Sequence, residues 1–256
     1  MTTALPRTPS LRLDGRRALV TGAGRGLGLA CAAALCEAGA EVWLAARGPN
    51  EVQVAAEALR ARGDRAHALV LDVTDTAAVA LAVAAHGPFQ VLVNNAGTNR
   101  PKPFDEVTEG DIDALLALNT KAAFFVARAV ASGLKAAGLP GSIVQMSSQM
   151  GHVGGMNRSI YCASKHALEG LSKALALELG PWGIRVNTVC PTFIETPMTQ
   201  GWLAAPAFRE QVISKIALGR VGRVEDVMGA VLFLASDAAA LVTGSALMVD
   251  GGWTAS

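Results

Sequence analysis

The stretch RALVTGAGRGLG, residues 17–28, decides the fold. A short apolar run, typical of a buried strand, leads into four glycines within seven residues and then into an Ala/Leu-rich helical stretch. Glycines let the backbone turn tightly and approach a pyrophosphate, and the N-terminus of the helix adds free N–H groups and partial positive charge. This placement predicts a dinucleotide-binding turn. The alternative is a tight turn that binds no ligand.

The alternation of strand and helix continues beyond this turn. Middle strands such as ALV and VLV are nearly continuous apolar runs, which indicates a parallel sheet buried on both faces by helices. The expected fold is α/β, a single-domain Rossmann fold with a doubly wound, seven-stranded parallel sheet and helices on both faces. Strands are predicted at 17–21, 41–46, 66–71, 89–93, 142–147, 184–190 and 245–249, and helices near 26–38, 50–62, 75–85, 108–137, 160–179 and 224–236.

The pattern indicates one domain and no linker. Residues 1–12 contain no apolar core of the signal-peptide type and are expected to form a flexible N-terminal tail. Residues 13–256 are expected to form the single catalytic domain. The stretch at about 196–220 is the least regular part and follows a strand end, so we expect it to act as a lid.

Composition narrows the range of partners. With 22 basic and 21 acidic residues the net charge is +1, which gives no reason to expect nucleic acid or an anionic membrane. The longest apolar runs are far shorter than the roughly 20 residues of a membrane helix. Four cysteines without a CxxC pair and four scattered histidines indicate no metal site and no disulfide framework. A cytoplasmic location is expected.

The end of the second strand indicates which dinucleotide binds. The adenosine ribose should lie there, where an Asp or Glu would bind the 2′-hydroxyl and repel a 2′-phosphate. This chain has Ala46-Arg47 instead. Arg47, with Arg25 of the glycine turn, is placed to hold a 2′-phosphate, which favours NADP(H) while NAD(H) stays possible. Alternatively, both arginines are ordinary surface charges.

The next two strand ends carry polar residues. Asp72 follows the third strand, and its carboxylate can accept a hydrogen bond from the adenine amino group. Asn94-Asn95-Ala96-Gly97 follows the fourth strand, and its short amides and glycine can lie close under a ribose. Each of these segments alone is also compatible with an ordinary turn.

Tyr161, the only tyrosine, lies in SIYCASKH at residues 159–166, and Lys165 follows four residues later. Residues four apart share a face of a helix. Ser148 stands thirteen residues before Tyr161, at the end of the fifth strand. Further along the same helix, Glu169 and Lys173 are expected to form a solvated pair rather than part of a site.

Asn119 interrupts the apolar run ALLALNTKAAFF in the middle of a predicted helix. Asparagine is unfavourable at such a position because its side chain competes for backbone hydrogen bonds. The sequence therefore predicts a local distortion or a polar role at Asn119.

Taken together, these motifs resemble those of single-domain members of the short-chain dehydrogenase/reductase family. They occur in the family's order and cover nearly the whole chain. The matching elements are TGAGRGLG (21–28), DV (72–73), NNAG (94–97), Asn119, Ser148, YCASK (161–165), PTFIET (191–196) and VDGG (249–252).

The resemblance implies four catalytic residues. Tyr161 would be the general acid/base, and Lys165 would lower its pKa and bind the nicotinamide ribose. Ser148 would donate a hydrogen bond to the substrate oxygen, and Asn119 would hold a water that links Lys165 to solvent. The family spacing of thirteen residues from Ser to Tyr, with a Gly three residues after the Ser, selects Ser148 over Ser147.

The resemblance also implies the cofactor contacts, including the segment after the sixth strand, where Ile194 would use its backbone and Thr196 its hydroxyl on the carboxamide. Thr192 departs from the family, which usually has Gly there. Either the backbone is strained, or it is extended and Thr192 reshapes the pocket. The implied cofactor residues are Gly22, Arg25, Gly26, Leu27, Gly28, Arg47, Asp72, Val73, Asn94, Ala96, Gly97, Tyr161, Lys165, Pro191, Ile194 and Thr196.

The implied function is an oxidoreductase, a ketoreductase that transfers a hydride between NADP(H) and a ketone or secondary alcohol. Alternatives are a 3-oxoacyl-(acyl-carrier-protein) reductase, a sugar-acid or polyol dehydrogenase, and a non-enzymatic dinucleotide-binding sensor or scaffold. A homotetramer or homodimer is expected, packed through small residues of the Tyr161 helix. The predicted substrate residues are Ser148, Gln149, His152, Met156, Asn157 and Trp202.

Overall fold

Seven parallel strands form one sheet in the computed structural model, which describes residues 5–255. The strand order is β3-β2-β1-β4-β5-β6-β7. This order confirms the predicted doubly wound sheet. The strands are β1 (Arg17–Thr21), β2 (Glu41–Ala46), β3 (Ala66–Val70), β4 (Val91–Asn94), β5 (Gly141–Met146), β6 (Ile184–Pro191) and β7 (Ala246–Val249).

Helices cover both faces of this sheet. They are α1 (Gly26–Glu37), α2 (Pro49–Ala61), α3 (Thr76–His86), α4 (Glu109–Leu116), α5 (Ala123–Ala137), α6 (Ser159–Leu179), α7 (Gln200–Leu203), α8 (Pro206–Ile213) and α9 (Val224–Ala235). Helices α1, α2 and α9 share one apolar core with the sheet, and α3, α5 and α6 share the other. Neighbouring strand residues serve opposite faces, since Leu19 packs into the second core and Val20 into the first.

The strand order reverses between β1 and β4, so that successive crossovers leave to opposite sides and a crevice opens at the carboxyl ends of these strands. A hydroxyl joins the two strand ends there. Thr21 Oγ1 accepts hydrogen bonds from the backbone N–H groups of Asn95 and Ala96, each at 3.0 Å. The glycine turn after β1 and the loop after β4 are thereby held side by side.

The helix predicted at 108–137 is interrupted. A π-helical turn, Ala117–Ala122, separates α4 from α5 and contains Asn119, so the predicted local distortion is confirmed. The whole helical stretch, Glu109–Ala137, is long and apolar enough to cross a membrane by length and composition alone. Its residues also pack against α3 and the sheet, as the core helix of an α/β domain does.

The expected tail and lid are irregular. Residues 5–12 are exposed and form no helix or strand, and the first four residues of the tail lie outside the described chain. The tail's flexibility stays a prediction. The lid segment contains only the short helices α7 and α8, whose Leu203 and Val212 are buried in a small apolar cluster with Phe193.

Candidate active site

A cavity of about 410 Å³ runs along the carboxyl edge of the sheet, from the end of β2 to the start of α6. Most of the residues predicted for a cofactor and for catalysis line it, so the crossover topology brings together groups that lie far apart in the chain. The predicted residues that line it are Gly22, Arg25, Gly26, Leu27, Gly28, Arg47, Val73, Ala96, Gly97, Ser148, Tyr161, Lys165, Pro191, Ile194 and Thr196.

The glycine turn fits a dinucleotide pyrophosphate. Gly22 has a φ of +64°, which residues with a side chain rarely adopt, and a Cβ on Gly28 would lie 2.3 Å from the Gly22 carbonyl oxygen. Both positions therefore require glycine for the turn to form at the start of α1. Arg25, the N-cap of α1, makes no side-chain hydrogen bond to the first turn of the helix. The free N–H groups of that turn face the cavity and suit an anion.

The two arginines predicted for the 2′-phosphate differ in their surroundings. Arg25 Nη1 donates to Glu51 Oε1 at 2.8 Å, so its charge is already paired. Arg47 is exposed at the cavity rim and pairs with no carboxylate of residues 5–255. Its charge contributes to the lowered pKa of Asp72, after the larger effect of hydrogen bonds from Thr74. Arg47 is thus the better placed of the two arginines.

Two residues predicted for the cofactor do not line the cavity. Asp72 accepts hydrogen bonds from the backbone N–H and the hydroxyl of Thr74. Asn94 is buried, and its Nδ2 donates to the Ala123 carbonyl at 2.7 Å. Asn95 lines the cavity instead and donates to the Thr21 carbonyl at 2.9 Å. The first asparagine of the pair joins β4 to the helix layer, and the second borders the cavity.

Asn119 holds the loop after β4. Its Oδ1 accepts from the Thr98 N–H at 2.9 Å, and its Nδ2 donates to the Thr98 carbonyl at 2.9 Å and to Ser164 Oγ at 3.1 Å. Both amide hydrogens are therefore used. The Asn119 side chain therefore has no hydrogen left to donate to a water, and the presence of a water at this residue stays a prediction.

The catalytic residues predicted on α6 and after β5 lie together. Lys165 is 5% exposed, and its Nζ donates to the Met146 carbonyl at 2.7 Å and lies 5.6 Å from the centre of the Tyr161 ring. Ser148 Oγ donates to Gln149 Oε1 at 2.9 Å. The backbone N–H of Met150 donates to Ser148 Oγ, which fixes the hydroxyl at the end of the strand.

Burial governs the pKa values of this pair. It lowers the pKa of Lys165 from its ordinary value near 10.5 to about 8, against the raising effects of Cys190 and Glu169. It also raises the pKa of Tyr161, which a hydrogen bond with Ser148 partly offsets. A base at Tyr161 therefore requires added positive charge close to the phenol.

Glu169 is not part of a solvated pair with Lys173, and that prediction is wrong. Glu169 is 6% exposed, and it accepts from Thr188 Oγ1 at 2.9 Å and from Cys190 Sγ at 3.3 Å. His152 Nε2 lies 3.5 Å from Glu169 Oε1. The sequence pattern missed this carboxylate because its partners lie on β6, which packs against α6.

His152, Glu169 and Cys190 are all side chains of metal-binding types, and their ligand atoms lie within 4.8 Å of one another. Their separation along the chain concealed this proximity. The hydrogen bonds to Glu169 from Thr188 and Cys190 explain why these side chains lie together without a metal ion. The prediction that the protein has no metal site stays a prediction.

Of the six residues predicted for the substrate, only Ser148 lines the cavity. Gln149 is 1% exposed and is turned to Ser148, whereas Met156 is 81% exposed. Trp202 belongs to α7 in the lid. Asn157, which has a φ of +59°, is one of the residues that line a smaller crevice beside Tyr161.

Thr192 borders the cavity, and its hydroxyl is buried with no hydrogen-bond partner among the described residues. Asn157 is the one non-glycine residue of positive φ in the described part of the chain, so no such strain arises at Thr192. Of the two alternatives, the structure favours a reshaped pocket. Thr98 and Met198 also line the cavity and were not predicted; their positions, shortly after β4 and β6, were the available signal.

Comparisons with known proteins show which family the chain resembles. The family model described as Enoyl-(Acyl carrier protein) reductase matches residues 22–254. The chain is 44% identical to D-erythrulose reductase of Gallus gallus over 97% of this chain and 99% of that protein. It is 42% identical to L-xylulose reductase of Bos taurus over 96% and 99%.

Among solved structures, the fold matches a gluconate 5-dehydrogenase from Burkholderia cenocepacia J2315 in complex with NADP and tartrate. The TM-score is 0.92 at 36% identity, over 96% of this chain and 98% of that one.

Replacing Arg47 tests the adenosine end of the cavity. Arg47→Asp should weaken NADPH binding by about 10- to 100-fold and leave NADH binding nearly unchanged, because it replaces a charge-assisted contact to the 2′-phosphate with repulsion. Dissociation constants from nicotinamide fluorescence measure both, with Arg47→Lys as the charge-retaining control. Equal weakening of NADPH and NADH would contradict the assignment.

Proposed function

The chain belongs to the short-chain dehydrogenase/reductase family, and on that premise we propose that it interconverts a keto group and a secondary alcohol on a sugar-like substrate. It is an NADP(H)-dependent oxidoreductase. The observation that carries the proposal is the meeting of Ser148, Tyr161 and Lys165 at one end of the cavity whose other end is formed by the glycine turn. Bound NADPH supplies a hydride to the carbonyl carbon.

Residues of this chain transfer the proton to or from the substrate oxygen. When substrate binds, the Ser148 hydroxyl exchanges its hydrogen bond to Gln149 for one to the carbonyl oxygen, where negative charge develops. Tyr161 donates its proton to that oxygen in reduction, and its phenolate accepts the proton in alcohol oxidation. The Lys165 ammonium, 5.6 Å from the ring centre, stabilises the phenolate.

The substrate class follows from the cavity and the relatives. Two relatives are named for neutral keto sugars and one solved neighbour for a sugar acid. The cavity wall next to Tyr161 and Ser148 mixes small polar and apolar groups, such as Thr98, Thr192 and Met198. The proposed substrate is therefore a polyhydroxylated ketone of four to six carbons.

Tyr161→Phe tests the mechanism. The variant keeps the ring in place and should retain its fold and NADPH binding, but turnover should fall by about 10²- to 10⁴-fold, the usual contribution of general acid–base catalysis. Loss of nicotinamide absorbance with tetrulose, pentulose and keto-acid substrates measures the rates.

Ser147→Ala serves as the matched control, because Ser147 is a neighbouring buried hydroxyl without a hydrogen-bond partner in the described chain. It should change the rates little. Near wild-type turnover in Tyr161→Phe refutes the mechanism, and a wild-type protein that binds NADPH but reduces none of these carbonyls favours the sensor or scaffold.

Glu169 is proposed to support Lys165. Its negative charge raises the pKa of Lys165, so Glu169→Gln should lower that pKa and leave less ammonium at a given pH. Because the ammonium stabilises the Tyr161 phenolate, the loss of alcohol oxidation on the alkaline side of the profile should begin at a lower pH, by less than about one unit because no ion pair joins Glu169 directly to Lys165 in the described chain. Reduction at low pH, where Tyr161 keeps its proton, should change little.

Initial rates of alcohol oxidation against pH measure this shift. Glu178→Gln, an exposed carboxylate on the same helix, is the control and should leave the profile in place. An unchanged profile for Glu169→Gln would show that the carboxylate only stabilises the packing of α6 on β6.

We further propose that the chain forms a homotetramer or homodimer in the cytoplasm. Small exposed residues lie along the outer face of α6 (Ala163, Ala167, Gly170 and Ala174), where they permit close approach of a second helix. Leu177 on α6 and Phe124 on α5 are also exposed and add apolar surface. Sedimentation of the full chain should give an assembly of two or four subunits, and a monomer would end this proposal.

A further inference from the structure

Arg158, three residues before Tyr161, is a cation that pairs with no carboxylate of residues 5–255. It is the N-cap residue of α6, and burial lowers the pKa of its guanidinium. Its Nη1 donates to the Met156 carbonyl at 3.1 Å. Its Nε is buried with no hydrogen-bond partner in the described chain. Enclosing an unpaired charge in this way is unfavourable unless other groups compensate it.

Aromatic rings hold the guanidinium in place. Its central carbon lies 5.5 Å from the ring centre of Phe193, 5.6 Å from Trp202 and 5.9 Å from Phe208. The faces of such rings attract a cation but leave the planar N–H donors unused. Phe193 follows cavity-lining Thr192, and the other two rings belong to the lid. Arg158 therefore lies between the lid and the catalytic tyrosine.

The surroundings of Arg158 are basic. A small crevice beside Tyr161 is lined by Arg158, Arg100 and Lys102, and one carboxylate, Asp111, faces these three cations. Lys102 Nζ lies 2.5 Å and Arg100 Nη1 3.7 Å from the Asp111 carboxylate, so Asp111 is taken by these two. The positive charge that Asp111 does not pair remains with Arg158, which lines the small crevice together with Tyr161 but does not line the main cavity.

The chain enters α6 through a turn that sets this residue. Asn157 has a left-handed φ of +59°, and its carbonyl accepts from the Lys102 N–H at 2.9 Å. Asparagine tolerates this conformation better than most residues. The turn and the ring contacts together fix the guanidinium before any substrate arrives, as a binding group requires.

We propose that Arg158 binds a carboxylate of the substrate, so that the enzyme acts on keto acids of the sugar-acid class in preference to uncharged keto sugars. The inference rests on the proposed function and narrows its substrate class. A guanidinium presents paired N–H donors that match a carboxylate, and the surrounding rings exclude water that would weaken the contact. The catalytic residues themselves are the same for both substrate classes.

A pair of substrates that differ only at one terminus tests the inference. 5-Ketogluconate carries a carboxylate where L-sorbose carries a hydroxymethyl group. With NADPH, the wild-type enzyme should have the higher kcat/KM for 5-ketogluconate. Arg158→Gln should lower that value by about 10- to 100-fold, mainly through KM, and should change the value for L-sorbose by less than about threefold. Arg158→Lys keeps the charge but loses the planar pair of donors. Its kcat/KM for 5-ketogluconate should lie between those of the wild type and Arg158→Gln.

Arg128→Gln is the matched control, because it also removes an arginine that lies over an aromatic ring, 4.6 Å from the centre of Phe125, but far from the lid. It should leave the preference unchanged. Equal loss for both substrates in Arg158→Gln would assign Arg158 to lid packing and overturn the inference. So would a wild-type preference for L-sorbose. A wild-type protein that reduces neither compound nor any other carbonyl contradicts the proposed function itself.

Discussion

The site depends on one topological constraint, the reversal of strand order between β1 and β4. Parallel strands place all their carboxyl ends at one edge, and the reversal sends the crossovers to opposite faces and leaves the crevice between them open. The Thr21 hydroxyl, which accepts from two backbone N–H groups of the loop after β4, joins the two strand ends that border this crevice. The glycine turn and the residues predicted for catalysis thereby lie along one cavity.

Burial then determines the chemistry. Withdrawing Lys165 from water lowers its pKa to about 8, and withdrawing Tyr161 raises the pKa of its phenol. Both shifts oppose the ion pair that base catalysis needs, so the charges around them decide the outcome. Cys190 and Glu169 raise the pKa of Lys165 and so oppose part of the effect of burial. These two groups do not line the cavity, so residues behind its wall also affect the protonation of Lys165.

Much of this was predictable from the sequence, and the failures have one physical cause. Apolar runs and glycines at strand ends are local signals, so β1, β2 and the cavity-lining turn were predicted correctly. Asn119 was also a local signal, because an amide in an apolar helix predicted the π-helical turn. Glu169 looked solvated because its i,i+4 neighbour is Lys173, whereas its partners lie on β6. Long-range pairing overrides a local pattern, and no spacing along the chain reveals it.

Helix α6 shows how a single element combines the predictable and the unpredictable. Tyr161, Lys165 and Glu169 follow one another at intervals of four residues, which puts them on one stripe of the helix, and Arg158 stands before them as the N-cap residue. This series runs from the aromatic rings of the lid at Arg158, past the cavity, to β6 at Glu169. The two roles proposed above, substrate binding at Arg158 and support of Lys165 at Glu169, would then be supplied by one chain segment on either side of Tyr161.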